Sequence, residues 1–349
     1  MQWQPTADQE DFRTALRGWL GQHAGSASTR RWASGVDAGD FDTRFAAEGW
    51  FGVGAPEELG GEGGGPVELA IVAEELGRAA APSGPWLGAA LALPALSGSP
   101  ETAKAQFSDG VAVVLGVDAG QVPGAGEVRI QGGRLIGTIR TVLGATRARY
   151  AVVPISSGAA RLVELDTEGV RVEPRRLLDG TRDAGDLVLD GAAGLVLETD
   201  ALAAIRDRAA LLTAADALGA AGRMLDLTVE YAGQRKQFGV PIGSFQAVKH
   251  AAAEMLVAVE AARSIVYDAA IRLEHAQPEA GLHAAVAKAQ VTAAATRVAD
   301  SALTLHGAIG YTFEHDLQLF YKRAKLDQAL FGAPAAWNER IADALRLVL

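Results

Sequence analysis

The sequence predicts an α+β protein in three parts: an N-terminal all-α domain over residues 1–106, a central antiparallel β-domain over 107–198 and a C-terminal helical bundle over 199–349. Three observations carry this reading: helical apolar spacing at the start, short β-favouring runs in the middle, and a long helical stripe toward the end. In the first part Phe12, Leu16, Trp19 and Leu20 recur at three- and four-residue steps, and Leu69, Val72, Ala73, Leu76 and Ala80 do so again before Pro82. In the middle, the runs 111–115, 150–153, 161–165 and 186–189 are separated by Gly, Asp and Pro turns. No crossover helix of about 10–15 residues intervenes, so an antiparallel sheet or barrel is expected rather than parallel βαβ units. In the last part Phe245, Val248, Ala252, Met255, Leu256, Val259, Ala262 and Val266 form one apolar stripe, with Lys249, Glu254, Glu260 and Arg263 off it. An alanine-rich helix of that length needs other helices to pack against, which predicts a bundle.

Composition narrows the function. With 49% hydrophobic and 21% charged residues in 349, the chain has the makings of a packed core rather than a disordered tail. A net charge of −10 argues against nucleic acid as the main partner. There is no cysteine, hence no disulfide framework, thiolate nucleophile or cysteine metal site. The first ten residues have neither a basic nor an apolar leader region, and no uncharged apolar run reaches the roughly 18 residues of a membrane helix. A cytoplasmic protein without membrane insertion is the expectation.

The chemistry-bearing stretch is Tyr231-Ala-Gly-Gln-Arg-Lys-Gln-Phe-Gly-Val-Pro-Ile-Gly-Ser-Phe-Gln-Ala-Val-Lys-His250, an arginine-glutamine-phenylalanine turn followed by a helix start. Three further stretches accompany it in order. Glu48 to Gly63 is a glycine-rich loop, Ala73-Glu-Glu-Leu-Gly-Arg-Ala79 continues a helix, and Leu305-His-Gly-Ala-Ile-Gly-Tyr-Thr-Phe-Glu-His-Asp316 precedes Tyr321-Lys-Arg-Ala-Lys325. Together they span nearly the whole chain and resemble the flavin-dependent acyl-CoA dehydrogenases. The resemblance implies that family's fold: an N-terminal helical domain, a central antiparallel β-domain and a C-terminal four-helix bundle. It also implies FAD as cofactor, an acyl-CoA substrate and electron-transfer flavoprotein as electron acceptor.

In that family the flavin lies across a subunit boundary. By likeness, Arg235 supplies a forked cation for the pyrophosphate, Gln237 belongs to the same turn, Phe238 packs on the cofactor, and Gln246 offers amide hydrogen bonds. Gly307 and Gly310 let backbone approach a phosphate, although Thr304 and Ala308 stand where the family usually has glutamine and glycine. The β-domain departs further. Where the family carries hydroxyl-rich flavin contacts, residues 115–124 read Leu-Gly-Val-Asp-Ala-Gly-Gln-Val-Pro-Gly, without Ser or Thr.

The sharpest departure concerns the base. Removing an α-proton from an acyl thioester needs a carboxylate at the α-carbon. The customary glutamate position falls on Phe331, and the second customary position falls near Ala209, with Asp207 and Arg208 beside it. Asp216, about two turns on, is the remaining candidate. The resemblance therefore implies a short subunit completed by a second, base-bearing acyl-CoA dehydrogenase chain, as in the α2β2 heterotetramers of actinobacterial steroid side-chain degradation. The rivals are a homomeric enzyme using Asp216 and a non-catalytic scaffold. No metal is expected: the histidines lack zincin spacing, and Glu314-His315-Asp316 fan over different faces as a solvated cap. The glycine cluster at 60–65 follows no strand, and no serine nucleophile elbow appears.

Overall fold

The structure is a computed structural model that describes residues 5–108, 112–124, 126, 128–155 and 159–345. The expected strand start at Val111 lies outside these residues.

Among the described residues the first domain holds the α-helices α1 (Ala7–His23), α2 (Ser26–Ala33), α3 (Gly39–Ala47), α4 (Pro66–Ala79), α5 (Gly84–Ala92) and α6 (Pro100–Ser108). Helix α1 begins in a capping box, with the Thr6 hydroxyl taking the Gln9 N–H and the Gln9 side chain returning to the Thr6 N–H. Helix α4 is buried on nearly every face, because it lies between α1 and the bundle.

Eight strands follow: β1 (Val113–Leu115), β2 (Arg129–Gln131), β3 (Arg134–Leu143), β4 (Tyr150–Ile155), β5 (Ala159–Glu164), β6 (Val170–Arg175), β7 (Ala184–Ala192) and β8 (Leu195–Glu198). They form two four-stranded sheets, β1-β4-β5-β8 and β2-β3-β7-β6. Pairing is antiparallel as expected, except that β1 runs parallel to β4. The exception has a topological cause: between β1 and β4 the chain crosses to the other sheet, makes β2 and β3, and returns in the original direction.

The last part is built on α7 (Leu202–Gln234), α8 (Gln246–Glu274), α9 (Ala280–His306) and α10 (Leu317–Ala329), with α11 (Pro334–Ala344) against α9. Two short strands, β9 (Lys236–Gln237) and β10 (Val240–Pro241), make a hairpin between α7 and α8. The expected stripe on α8 is only partly covered. Met255, Val259, Ala262 and Val266 are at most 4% exposed, whereas Phe245 is 38% and Leu256 50% exposed. The first half of α8 thus shows apolar surface that its own chain does not bury.

Helices α4 and α7 join the first domain to the bundle at a glycine crossing. A Cβ on Gly77 would lie 2.1 Å from the Asp216 carbonyl oxygen, and one on Gly219 would lie 1.9 Å from that of Glu74. Only glycine on both helices permits this approach.

Candidate functional site

The candidate residues fall at two ends of the bundle and in its middle. At one end, α7 runs into the β9–β10 hairpin, α8 starts, and α9 ends. Phe238 and Gly239 occupy the hairpin turn with φ of 52° and 82°, the left-handed pair of a tight two-residue turn. Phe238 is 93% exposed and meets Phe245 edge-on at 6.1 Å. The Arg235 carbonyl accepts the Ile242 N–H at 2.8 Å, which fixes the hairpin base. Its exposed guanidinium has no hydrogen-bond or ion-pair partner among the described residues. Gln237 is exposed and turns its amide to the Lys236 carbonyl; Gln246 is exposed at the first turn of α8.

Gly307 belongs to the same end. Tyr231, one turn before Arg235, stacks on His306 at 4.6 Å, and His306 meets His315 at 4.7 Å. Gly307 has φ +62° with open space where a Cβ would stand. Gly310 differs: a Cβ there would meet Leu303, His306 and Leu317 at 3.0–3.3 Å, so its smallness serves packing. Glu314-His315-Asp316 leads into α10, with Asp316 at its N-cap, and is also tied to the first domain. Asp316 accepts from Arg30 and Ser26 at 2.7 Å, tying the loop to α2, and His315 accepts the Leu317 N–H.

At the opposite end stands the position of the family's glutamate. Phe331 is 2% exposed in a turn with φ 53°. Its N–H donates to the Ala119 carbonyl at 2.6 Å, and its carbonyl accepts Trp337 Nε1–H at 2.9 Å. Val122 closes on Gly332, where a Cβ would meet it at 2.6 Å. Lys288, fully buried, donates to the carbonyls of Gly332 at 2.9 Å and Gln328 at 3.3 Å. Burial pushes its ammonium down to about 7, against the opposing charge of Asp327. The turn is therefore filled by phenylalanine and pinned from three sides. Ala209 is likewise buried, Asp207 lies against Gly281, and Arg208 donates to the Ala90 carbonyl at 2.9 Å.

The loop that ought to face a flavin closes on this turn through Ala119 and Val122. Asp118 takes the Gly120 N–H at 2.8 Å. A cavity of about 310 Å³ beside the loop is lined also by Thr138 and Arg140 of β3. Those two polar side chains escaped the sequence reading because nothing in β3 marks which of its residues meet the 116–124 loop.

Asp216 sits in the middle of the bundle, 3% exposed. Both its oxygens accept from Arg323, Nε and Nη2 each at 2.7 Å, and Arg182 approaches at 2.7 Å. Arg323 also donates to the Ala81 carbonyl and Ser83, and Arg182 donates to Ser83 and Asp327. This network joins α4–α5, the β6–β7 loop, α7 and α10. Burial pushes Asp216 upward, but the two guanidiniums outweigh it and hold the carboxyl below the usual aspartate range. Asp327 goes the other way: burial and the adjacent Asp216 charge raise it past what Arg182 can offset. Such a carboxylate is a poor proton acceptor. Sequence reasoning missed Arg182, Arg323 and Asp327, which carry no local pattern linking them to Asp216. No cluster of three metal-ligating side chains and no helix able to cross a membrane occurs among the described residues.

Residues 6–112 match the acyl-CoA dehydrogenase N-terminal domain family and residues 203–345 its C-terminal domain family. The chain belongs to the acyl-CoA dehydrogenases, a family of oxidoreductases. It is 34% identical over 337 residues to the acyl-CoA dehydrogenase IpdE2 of Mycobacterium tuberculosis, with 95% of each chain covered. Among solved structures it is similar to a chain of the ChsE4–ChsE5 complex from Mycobacterium tuberculosis, with a TM-score of 0.90, 27% identity and 100% of both chains covered. It is also similar to a chain of the Tcur3481–Tcur3483 steroid acyl-CoA dehydrogenase, with a TM-score of 0.86, 26% identity and 97% of both chains covered.

Proposed function

We propose that this chain is the subunit of a heteromeric acyl-CoA dehydrogenase that completes an FAD site on a base-bearing partner, with a steroid-derived acyl-CoA thioester as substrate. One observation carries the reading: buried Phe331 fills the turn where the resemblance places the catalytic glutamate, while the hairpin end lies too far away to serve the same cofactor. Ala210 packs with Trp337 beside the Phe331 turn, and Gln234 adjoins the hairpin. Along α7 they are separated by about 36 Å at 1.5 Å per residue. The unpaired Arg235, the exposed Phe238 and the exposed apolar face of α8 thus meet a neighbouring chain. The two heteromeric relatives, one named for steroid, support both the assembly and the substrate class.

The residues present fit FAD at the hairpin end and not at the Phe331 end. FAD would accept the hydride leaving the β-carbon of the substrate and later pass electrons to an electron-transfer flavoprotein. Arg235 would pair with its pyrophosphate, Phe238 would cover an apolar face, Gln246 would donate amide hydrogen bonds, and Gly307 would admit close backbone approach. At the Phe331 end the customary glutamate position holds phenylalanine, which cannot take an α-proton, and the turn's own N–H is engaged by Ala119. The base comes from the partner. The second reading, a homomeric enzyme using Asp216, is disfavoured by the double Arg323 contact on that carboxylate.

The test is Arg235→Ala in the assembled enzyme. Loss of one charge-assisted contact, worth about 1.5–3 kcal/mol, weakens flavin retention roughly 10- to 100-fold on gel filtration with helix content unchanged. Flavin held as tightly as in the parent would make Arg235 structural.

A further inference from the structure

A second cavity, away from both ends of the bundle, has the makings of an anion site. It encloses about 340 Å³ between the first domain and the bundle. Its floor is apolar, from Leu20 and Ala24 of the α1 end and Leu319 and Phe320 of α10, all at most 6% exposed. Its walls carry Arg17, Arg78 and Arg223. Charge is not balanced there. Arg17 is neutralised by a two-pronged pair with Glu75, and Arg78 by Asp226. Arg223, half-buried on α7, has no hydrogen-bond or ion-pair partner among the described residues. The lining carboxylate of Asp316 is engaged by Arg30.

Leaving a guanidinium half out of water and unpaired is unfavourable unless something anionic meets it. A chain of net charge −10 gives no general reason for cations to converge. We propose that this cavity binds a phosphate monoester: its dianionic head on Arg223 and Arg78, its organic part on the Leu20–Phe320 floor. Phosphate is favoured over carboxylate because its three terminal oxygens can take the free fork of Arg223 together with the nitrogens that Arg78 leaves outside its single Nη2 contact with Asp226, whereas a carboxylate is satisfied by one fork. The volume admits a nucleoside monophosphate or the terminal nucleotide of coenzyme A. The proposal is independent of the flavin reading, since Arg223 lies on α7 well before the hairpin.

The experiment is calorimetric titration of the purified assembly with inorganic phosphate, AMP, adenosine and coenzyme A, for the parent and for Arg223→Ala and Arg223→Lys. Saturable AMP binding that falls roughly 10- to 100-fold in Arg223→Ala, is partly restored in Arg223→Lys and weakens with salt is the expected result. Coenzyme A binding more tightly than AMP and weakened likewise by Arg223→Ala identifies the cofactor nucleotide as the source, whereas coenzyme A binding that does not depend on Arg223 leaves a free nucleotide as the ligand of this cavity. Adenosine binding as well as AMP, no saturable binding of AMP or coenzyme A, or AMP binding unchanged in Arg223→Ala with intact circular dichroism would each overturn it.

Discussion

Asp216 and Asp327 show how one buried network assigns opposite states to two carboxyls. Asp216 faces Arg323 and Arg182, which favour its charged form; Asp327 has the weaker share of that field and is pushed up to about 7. Asp216→Asn removes the charge that compensates Arg323 in the interior, and breaking a buried pair from one side costs about 3–5 kcal/mol. The expected outcome is a large fall in thermal stability with substrate-driven flavin reduction nearly unchanged at a temperature where the variant is folded. A true base would instead lose about 100-fold or more in reduction rate, read by stopped flow. Asp327 makes a prediction in pH. An acid whose folded pKa is raised binds its proton more tightly when folded, so its stabilisation is complete below the unfolded value and is lost as pH climbs through the folded value of about 7. Asp327→Asn keeps an oxygen to accept from Arg182 without ionising. It should therefore flatten the decline in melting temperature between about pH 4 and 7, and an unchanged slope would contradict the assignment.

At the scale of elements, the hairpin and the glycine crossing make contrasting predictions. Phe238 is 93% exposed, so Phe238→Ser should move the unfolding free energy by no more than about 0.5 kcal/mol. It should nevertheless loosen subunit association and flavin retention, measured by sedimentation and by absorbance. Gly219→Ala has the reverse profile: its methyl would strike the Glu74 carbonyl, so α4 and α7 must separate at a cost of about 1–3 kcal/mol, while the hairpin is untouched. Much of this scale was legible in the sequence. Helical spacing at Phe12–Leu20 and Leu69–Ala80 corresponds to α1 and α4, and the β-favouring runs at 150, 161 and 186 correspond to β4, β5 and β7. Strands β2, β3, β6 and β8 were not: β2, β6 and β8 are short and mostly exposed, and the ten-residue β3 is interrupted in sequence by Gly137 and Arg140. The parallel β1–β4 pair was also hidden, since direction depends on which sheet the intervening chain visits. At the site, the motif residues were legible because they sit together in sequence. The Arg182–Asp216–Arg323–Asp327 network was not, because its members come from three parts of the fold.

For the whole molecule, the hairpin end presents an exposed Arg235 and Phe238, and the opposite end is a closed turn holding the buried Phe331. In the proposed assembly a second chain would meet both conditions at once, hosting the flavin and base and covering Phe238, Phe245 and the outer face of α8. The most direct test is the flavin content and native mass of the chain purified alone and after co-expression with a base-bearing acyl-CoA dehydrogenase chain. The account predicts a colourless protein alone and a flavin-loaded heteromer, active on acyl-CoA, when the two are purified together. A homo-oligomer purified alone with one flavin per chain and acyl-CoA-dependent bleaching would contradict it.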